Sequence, residues 1–478
     1  MISISGSSYK QLIVHIRIAM EEYSKQHLLV VAYPAQGHLN PSLHLAKKLA
    51  RLGAVVTFST TVSAHCSMFP DASPPDQEVS DDEVTYLPFS DGHDDAVNIH
   101  PFNECNPRIK RFGERNLSKL VATLRDRHRP VTCIVYSFLW PWAAEVARNH
   151  AVPSVLYWIQ PVTVFAIYYH YFRGDARLIT EHLDVPSSVV TLPGMPPIPV
   201  RELPSFLTLP GDDLCYSVLS VLGDMFDALE KERTWRKPKV LVNAFAALEE
   251  DVIPTIDVVD LVMVGPLLPS LKNKAVGDLF EPDEKGYMDW LDHQPEKSVA
   301  YVSFGSMAQI PRRQMEEIMR GLRLCGRPYL LVVRKDNRVQ EGIELESGEN
   351  AMVVEWCNQV RVLGHRSVGC FVSHCGWNSM LEGLVAGLPI VGFPQWSDQG
   401  INARMLENVS KSGFRAKISE EGILEAEELR RCVELVMGDG ERASEIKSNA
   451  NQWKEMVREA VGDGGPSDQN LRAFLKEL

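Results

Sequence analysis

Short apolar runs, each followed by a turn of small residues and then by a stretch with helical spacing, recur in both halves of this chain. Residues 27–33 (HLLVVAY) are bounded by Pro34 and Gly37 and read as a buried parallel strand. Residues 40–52 place Leu43, Leu45, Ala46, Leu49 and Ala50 at helical spacing, Gly53 ends the pattern, and 54–59 (AVVTFS) supplies the next strand. Strand, helix, strand in that order is a right-handed crossover unit. Further strands fit 132–136 and 154–158, with a helix at 140–148 between them. The pattern restarts at 299–304 (VAYVSF), followed by Gly305–Ser306 and a helix at 312–324. Strands at 329–333, 351–355 and 369–373, a helix at 377–386 and a strand at 389–392 complete it. The expected fold class is α/β, with two Rossmann-like domains facing across a cleft. Ligands would bind at the carboxyl ends of the strands.

The 478 residues are enough for two large domains with substantial cores. The expected division is a disordered extension at 1–24, an N-terminal domain at 25–260, a polar linker at 268–285, a C-terminal domain at 286–460 and a terminal helix at 461–478. Residues 71–82, 90–98 and the proline-rich 192–204 read as loops. Lys+Arg 49 against Asp+Glu 62 leaves a net charge of −13 and no compact basic patch, which argues against a nucleic-acid partner. No apolar run of spanning length exists, so stable membrane insertion is not expected. The first twenty residues lack the basic start and uninterrupted apolar core of a secretory signal. Nine cysteines, an odd number without paired zinc spacing, fit reduced thiols in the cytoplasm. Cys370 and Cys375 lie near His374, but no fourth ligand stands nearby, so no metal site is assigned.

Two constellations carry chemistry. In PAQGHLNP (34–41), a small-residue turn after the first strand aims Gly37 and His38 into the cleft, with Asn40 as the expected N-cap and Pro41 at the first helical position. A histidine beside a helix N-terminus tends to stay neutral and can accept a proton near pH 7. Read alone, His38 is as much a turn histidine as a base. One glycine is not the dinucleotide fingerprint, and neither a GxxxxGK[ST] loop nor a GxSxG elbow occurs. In SHCGWNS (373–379), between a strand and a helix, Gly376 lets backbone approach a ligand, while His374, Asn378 and Ser379 offer donors beside free N–H groups. That combination is an anion site for a phosphate or diphosphate. Glu382 on the same helix can take ribose hydroxyls, Ser306 can add a phosphate contact, and Trp356 with Gln359 can hold a flat base. Asp398 and Gln399 at another strand end suit sugar hydroxyls. Each has a bland alternative as a turn, core or helix-face residue; together they point to a nucleotide carrying a polyhydroxy group.

Residues 356–399, WCNQVRVLGHRSVGCFVSHCGWNSMLEGLVAGLPIVGFPQWSDQ, resemble the 44-residue donor-binding box of plant family 1 UDP-sugar glycosyltransferases. PAQGHLNP, GPL at 265–267, SFGS at 303–306 and GGPSDQNLRAF near the end extend the resemblance over roughly 25–478. It implies a GT-B fold with an acceptor domain, a donor domain and a terminal helix that crosses back to the first. Carried over, Trp356 stacks on uracil, with Cys357 beside it, and Gln359 helps to hold the base or ribose. Glu382 takes the ribose, while His374, Gly376, Asn378, Ser379 and Ser306 take the diphosphate. Trp377, Asp398 and Gln399 hold the sugar. Gln399 at the last position of the box favours UDP-glucose. His38 falls on the catalytic base of an inverting displacement that yields a β-glucoside. The resemblance implies no tightly bound cofactor, no required metal, UDP-glucose as donor, a small-molecule acceptor and a monomer.

One position departs from the family pattern. Many members orient the histidine with an aspartate where this chain has Ser137. Ser137 can orient the ring with a weaker pull, a neighbouring carboxylate can substitute, or the acceptor can be acidic enough to need little help. The acceptor pocket is expected to include Gly37, Phe89, Trp140, Gln160, Met195 and Trp396, from segments 88–95, 158–163 and 192–204. A flavonoid or other phenolic is the favoured acceptor, ahead of an apocarotenoid or other carboxylic acid and of terpenoid alcohols. Rival readings are another UDP-sugar, a non-catalytic small-molecule binder, and a metal-dependent nucleotide-sugar enzyme.

Overall fold

The computed structural model describes residues 26–94, 107–185, 187–209, 213–268, 286–335, 337 and 347–478. The expected extension at 1–24, and all of the expected linker except Leu268, lie outside the described residues. In chain order the strands are β1 His27–Val31, β2 Val55–Ser59, β3 Val79–Ser80, β4 Thr85–Tyr86, β5 Cys133–Ser137, β6 Ser154–Trp158, β7 Val189–Val190, β8 Ile198–Pro199, β9 Lys239–Val242, β10 Asp260–Met263, β11 Val299–Ser303, β12 Tyr329–Val332, β13 Ala351–Val354, β14 Val368–Ser373, β15 Ile390–Gly392 and β16 Gly413–Arg415. One sheet has the order β10-β9-β6-β5-β1-β2-β4-β3, the other β13-β12-β11-β14-β15-β16, and β7 pairs with β8. Neighbours in the two large sheets are parallel except β3 against β4. Strands such as β1, β5, β6, β11 and β14 are buried along their whole length. That explains their unbroken apolar runs, because helices cover both faces of a parallel sheet.

Each sheet reverses strand order at one point. In the first, β1 lies between β2 and β5, and Val31 is in register with Tyr136. The residues after β1 and the end of β5 therefore share one crevice. In the second, β11 lies between β12 and β14, and Ser303 is in register with Ser373. Gly305–Ser306 and His374–Gly376 consequently emerge side by side.

The first helix departs from expectation. It spans Gln36–Arg51 with Ala35 as N-cap, so Asn40 and Pro41 lie inside it rather than at its mouth. His38 is its third residue. Helices at Pro107–Asp126, Val162–Phe172 and Asp213–Arg233 fill stretches that the sequence reading left unassigned. The last helix, Pro466–Glu477, starts with proline at its first turn and returns to the N-terminal sheet. Ser467 Oγ donates to Gly265 O at 2.7 Å, Asn470 Nδ2 to Met263 O at 2.8 Å, and the buried Asp468 pairs with Lys48 at 2.7 Å.

Candidate active site

A cleft of about 340 Å³ runs between the carboxyl ends of the two sheets. At its N-terminal wall His38 Nδ1 lies 2.8 Å from Ser137 Oγ, a contact between the first turn after β1 and the last residue of β5. Tyr33 and Phe138 flank the imidazole at 5.2 and 5.0 Å between ring centroids. With Nδ1 turned to the serine, Nε2 is the nitrogen left for a ligand. Burial pushes the His38 pKa down to about 3, and no carboxylate among the described residues pulls it back. The His38–Ser137 contact therefore joins two neutral groups and is not an ion pair.

The opposite wall is a connected polar network. Tyr301 Oη donates to Gln359 Oε1 at 2.9 Å, and Gln359 Nε2 donates to Ser379 Oγ at 2.8 Å and to Glu382 Oε2 at 2.6 Å. Trp356, Cys357, Ser306, Gly376 and Asn378 line the same cleft. The helix Trp377–Ala386 begins there with Gly376 as N-cap, so its first N–H groups point into the cleft unpaired within the helix. His374 lies between two glycines. A Cβ on Gly305 would stand 2.6 Å from its Nε2, and one on Gly376 closer still, at 2.4 Å. Gly305 also has φ +82, so it is required for both space and backbone. Burial pushes His374 down to about 4.

At the third corner, Gln399 Oε1 accepts from Gln395 N at 2.8 Å and Trp396 N at 3.2 Å, leaving its amide nitrogen for a ligand. Asp398 is buried, which raises its pKa, and accepts from Asn402 Nδ2 at 2.8 Å. The same amide donates to Cys375 O at 2.8 Å and ties the left-handed Cys375 (φ +62) to the Asp398 corner. Asn402 lies three residues beyond the matched box and was not singled out from sequence; only its burial marks it.

Several expected residues have other neighbours. Trp377 lines the cleft, but its indole N–H donates to Asn243 O at 2.8 Å, across to the N-terminal domain. Asn378 Nδ2 donates to Gly37 O at 2.9 Å. Pro41 explains why that carbonyl is available: it has no N–H to bond to the residue four before it, Gly37. Phe89 and Trp140 do not reach the cavity wall. They pack edge-to-face at 5.1 Å behind it, with Trp140 against Tyr33. Met195 is buried in the 192–204 segment, which lies against the C-terminal domain instead of walling the pocket. Of the expected acceptor residues, Gly37, Gln160 and Trp396 line the cleft, joined by Phe138, Leu139, Ile159, Phe206 and Val218. Gln160 Oε1 is buried without a hydrogen-bond partner. Among the described residues no group of three or more His, Cys, Asp or Glu side chains is arranged to hold a metal. No helix there is long and apolar enough to cross a membrane.

The family described as UDP-glucoronosyl and UDP-glucosyl transferase matches residues 226–448. A crocetin glucosyltransferase (chloroplastic) from Gardenia jasminoides is 43% identical over 95% of this chain and 97% of its own length. This chain is a plant family 1 UDP-glycosyltransferase. A phloretin 4'-O-glucosyltransferase from Malus domestica is likewise 43% identical, over 94% of this chain and 97% of that one. Os79 from O. sativa, solved in complex with UDP, superposes with a TM-score of 0.79 at 30% identity, covering 94% of this chain and 99% of that one. The glycosyltransferase is thus of the GT-B type, an enzyme using a UDP-sugar donor and a small-molecule acceptor.

Proposed function

We propose that this glycosyltransferase transfers glucose from UDP-glucose to a hydroxyl of a small plant metabolite, a flavonoid or other phenolic, with inversion to a β-glucoside. The observation that carries the reading is the 2.8 Å contact of His38 Nδ1 with Ser137, across one cleft from the Gln359–Ser379–Glu382 network. Trp356 would stack on uracil, Gln359 and Glu382 would take the ribose, and His374, Ser306, Asn378, Ser379 and the helix N–H groups the diphosphate. Asp398 and Gln399 would take the sugar. The acceptor oxygen attacks the anomeric carbon from the His38 side and its proton passes to His38 Nε2. The bond to the diphosphate oxygen breaks, and UDP departs with the electron pair, held by fixed donors. With no carboxylate of the described residues behind the ring to share the proton, an acidic hydroxyl needs the least help, which favours phenols over aliphatic alcohols. The buried, unpartnered Gln160 Oε1 offers an acceptor for a second hydroxyl.

We extend the reading to a monomer in the cytoplasm that needs no divalent metal. The neutral donors around the diphosphate corner support the metal-free reading, and the eight free cysteines among the described residues fit the cytoplasm. Relatives named for crocetin and for phloretin are equally identical to this chain, so identity does not choose the acceptor. UDP release and product mass, measured with UDP-glucose over flavonols, simple phenols, phenolic acids, an apocarotenoid acid and terpenols, test the proposal. Acceptor-dependent release with a gain of one hexosyl unit supports it. Release only with another UDP-sugar, or UDP binding without turnover on any acceptor, overturns it.

Two variants follow from the local geometry. Ser137→Asp is expected to keep measurable turnover and to raise the His38 pKa by about 1–3 units through its charge. The acid limb of kcat/KM would then move to higher pH; an unchanged profile would mean that residue 137 does not govern the ring. Pro41→Ala is expected to raise Tm, since proline inside a helix costs up to about 3 kcal/mol relative to alanine. It also returns an N–H that competes with Asn378 for Gly37 O, so kcat should fall while stability rises. Equal or faster turnover in a stabilised variant would dismiss the bridge.

A further inference from the structure

The segment 197–205 belongs to the N-terminal half, yet its polar groups face the C-terminal domain. Glu202, 3% exposed, accepts from Arg404 Nη1 at 3.1 Å and from Arg415 Nη2 at 3.0 Å. Arg404 Nη2 also donates to Pro197 O at 2.8 Å. A Cβ on Gly400 would stand 2.7 Å from Glu202 O, so the backbones are in close approach. Ser205 N donates to Ser397 O at 2.9 Å, and Ser397 N donates to Ser205 Oγ at 2.6 Å. Phe206 packs edge-to-face on Trp396 at 5.9 Å.

Ser397 has φ +60, a left-handed conformation that a serine does not favour. Such a residue persists where its surroundings over-determine it. Here both its N–H and its carbonyl are held by one residue of the other domain. Its neighbours in sequence are Trp396, Asp398 and Gln399. Relaxation of Ser397 toward negative φ would turn those three side chains away from their present directions.

We propose that 197–205 is a positioning element for the sugar end of the donor site, with Ser205 acting through Ser397 and Glu202 anchoring the segment to Arg404 and Arg415. The proposal rests on the reading that Asp398 and Gln399 hold the sugar. On this account an acceptor-domain segment sets discrimination for the hexosyl group, whereas the uridine and diphosphate residues, on β11, β13 and β14 ends, do not depend on it. The C-terminal domain alone would bind UDP well and its sugar poorly.

The test is calorimetric titration of the full-length enzyme with UDP and with UDP-glucose, without acceptor. Ser205→Ala removes only the hydroxyl that holds Ser397 N and is expected to weaken UDP-glucose about 5- to 10-fold with UDP affinity unchanged. Glu202→Gln should act in the same direction. Unchanged UDP-glucose affinity in Ser205→Ala, or equal loss for both ligands, overturns the proposal. Gln399→Ala separates the two levels. If it too leaves UDP-glucose affinity intact, the sugar assignment itself fails; if it weakens UDP-glucose while Ser205→Ala does not, only the positioning role fails.

Discussion

The His38→Ala enzyme is expected to turn over a phenolic acceptor about 10²- to 10⁴-fold more slowly than the parent, the usual worth of a positioned general base. UDP affinity should not change, because His38 and its partner Ser137 belong to the N-terminal domain, away from the Gln359–Ser379–Glu382 network. Glu382→Ala should show the complementary pattern. Its carboxylate is held 2.6 Å from Gln359 Nε2, and removing it leaves that amide without one of its acceptors. Loss of a charge-assisted bond of about 1.5–3 kcal/mol corresponds to roughly 10- to 100-fold weaker UDP binding. Steady-state kinetics together with UDP titration of both variants check the division. Equal losses of UDP affinity would show that the cleft is not divided as argued.

Acid should lower the stability of this protein, and the cleft histidines contribute to the loss. Burial pushes His38 to about 3, and His44 and His374 to about 4. In the unfolded chain each titrates near 6.5, so below that pH the unfolded state binds protons that the folded state refuses. The stability due to these rings is fully present above about pH 6.5 and is lost as pH falls toward 4. Each ring contributes a slope of up to about 1.4 kcal/mol per pH unit, and the three together up to about 4 kcal/mol. Against a total stability of about 5–15 kcal/mol, a fall of about two pH units removes a large share of it. Denaturant titrations at pH 7.5, 6.5, 5.5 and 4.5 measure the slope. His44, whose ring bonds to the Leu267 backbone, is the variant to use: His44→Gln should flatten the slope by one ring's share. A flat profile in the parent would mean that the imidazoles are solvated.

The alternation of strand and helix was legible because a parallel sheet covered on both faces makes its strands apolar throughout; β6, Ser154–Trp158, and the helix Trp377–Ala386 match the sequence reading residue for residue. The first helix was misplaced for a physical reason. A proline normally marks a first turn, and Pro41 instead lies one turn inside, where its missing N–H leaves Gly37 O to Asn378. The helix Asp213–Arg233 lacked a clear signal because Gly223 and scattered apolar residues blur its stripe.

The sequence by itself determined the family, the two-sheet α/β architecture and the polar residues gathered in the donor box, because those depend on local periodicity and on contiguous motifs. Only the tertiary structure decided which aromatic residues meet a ligand and which, like Phe89 and Trp140, stand behind the wall. It also decided that Ser137 meets His38, ninety-nine positions away, and that 197–205 meets Ser397 from the other domain. Those contacts arise from strand order and domain docking, which bring together residues distant in sequence.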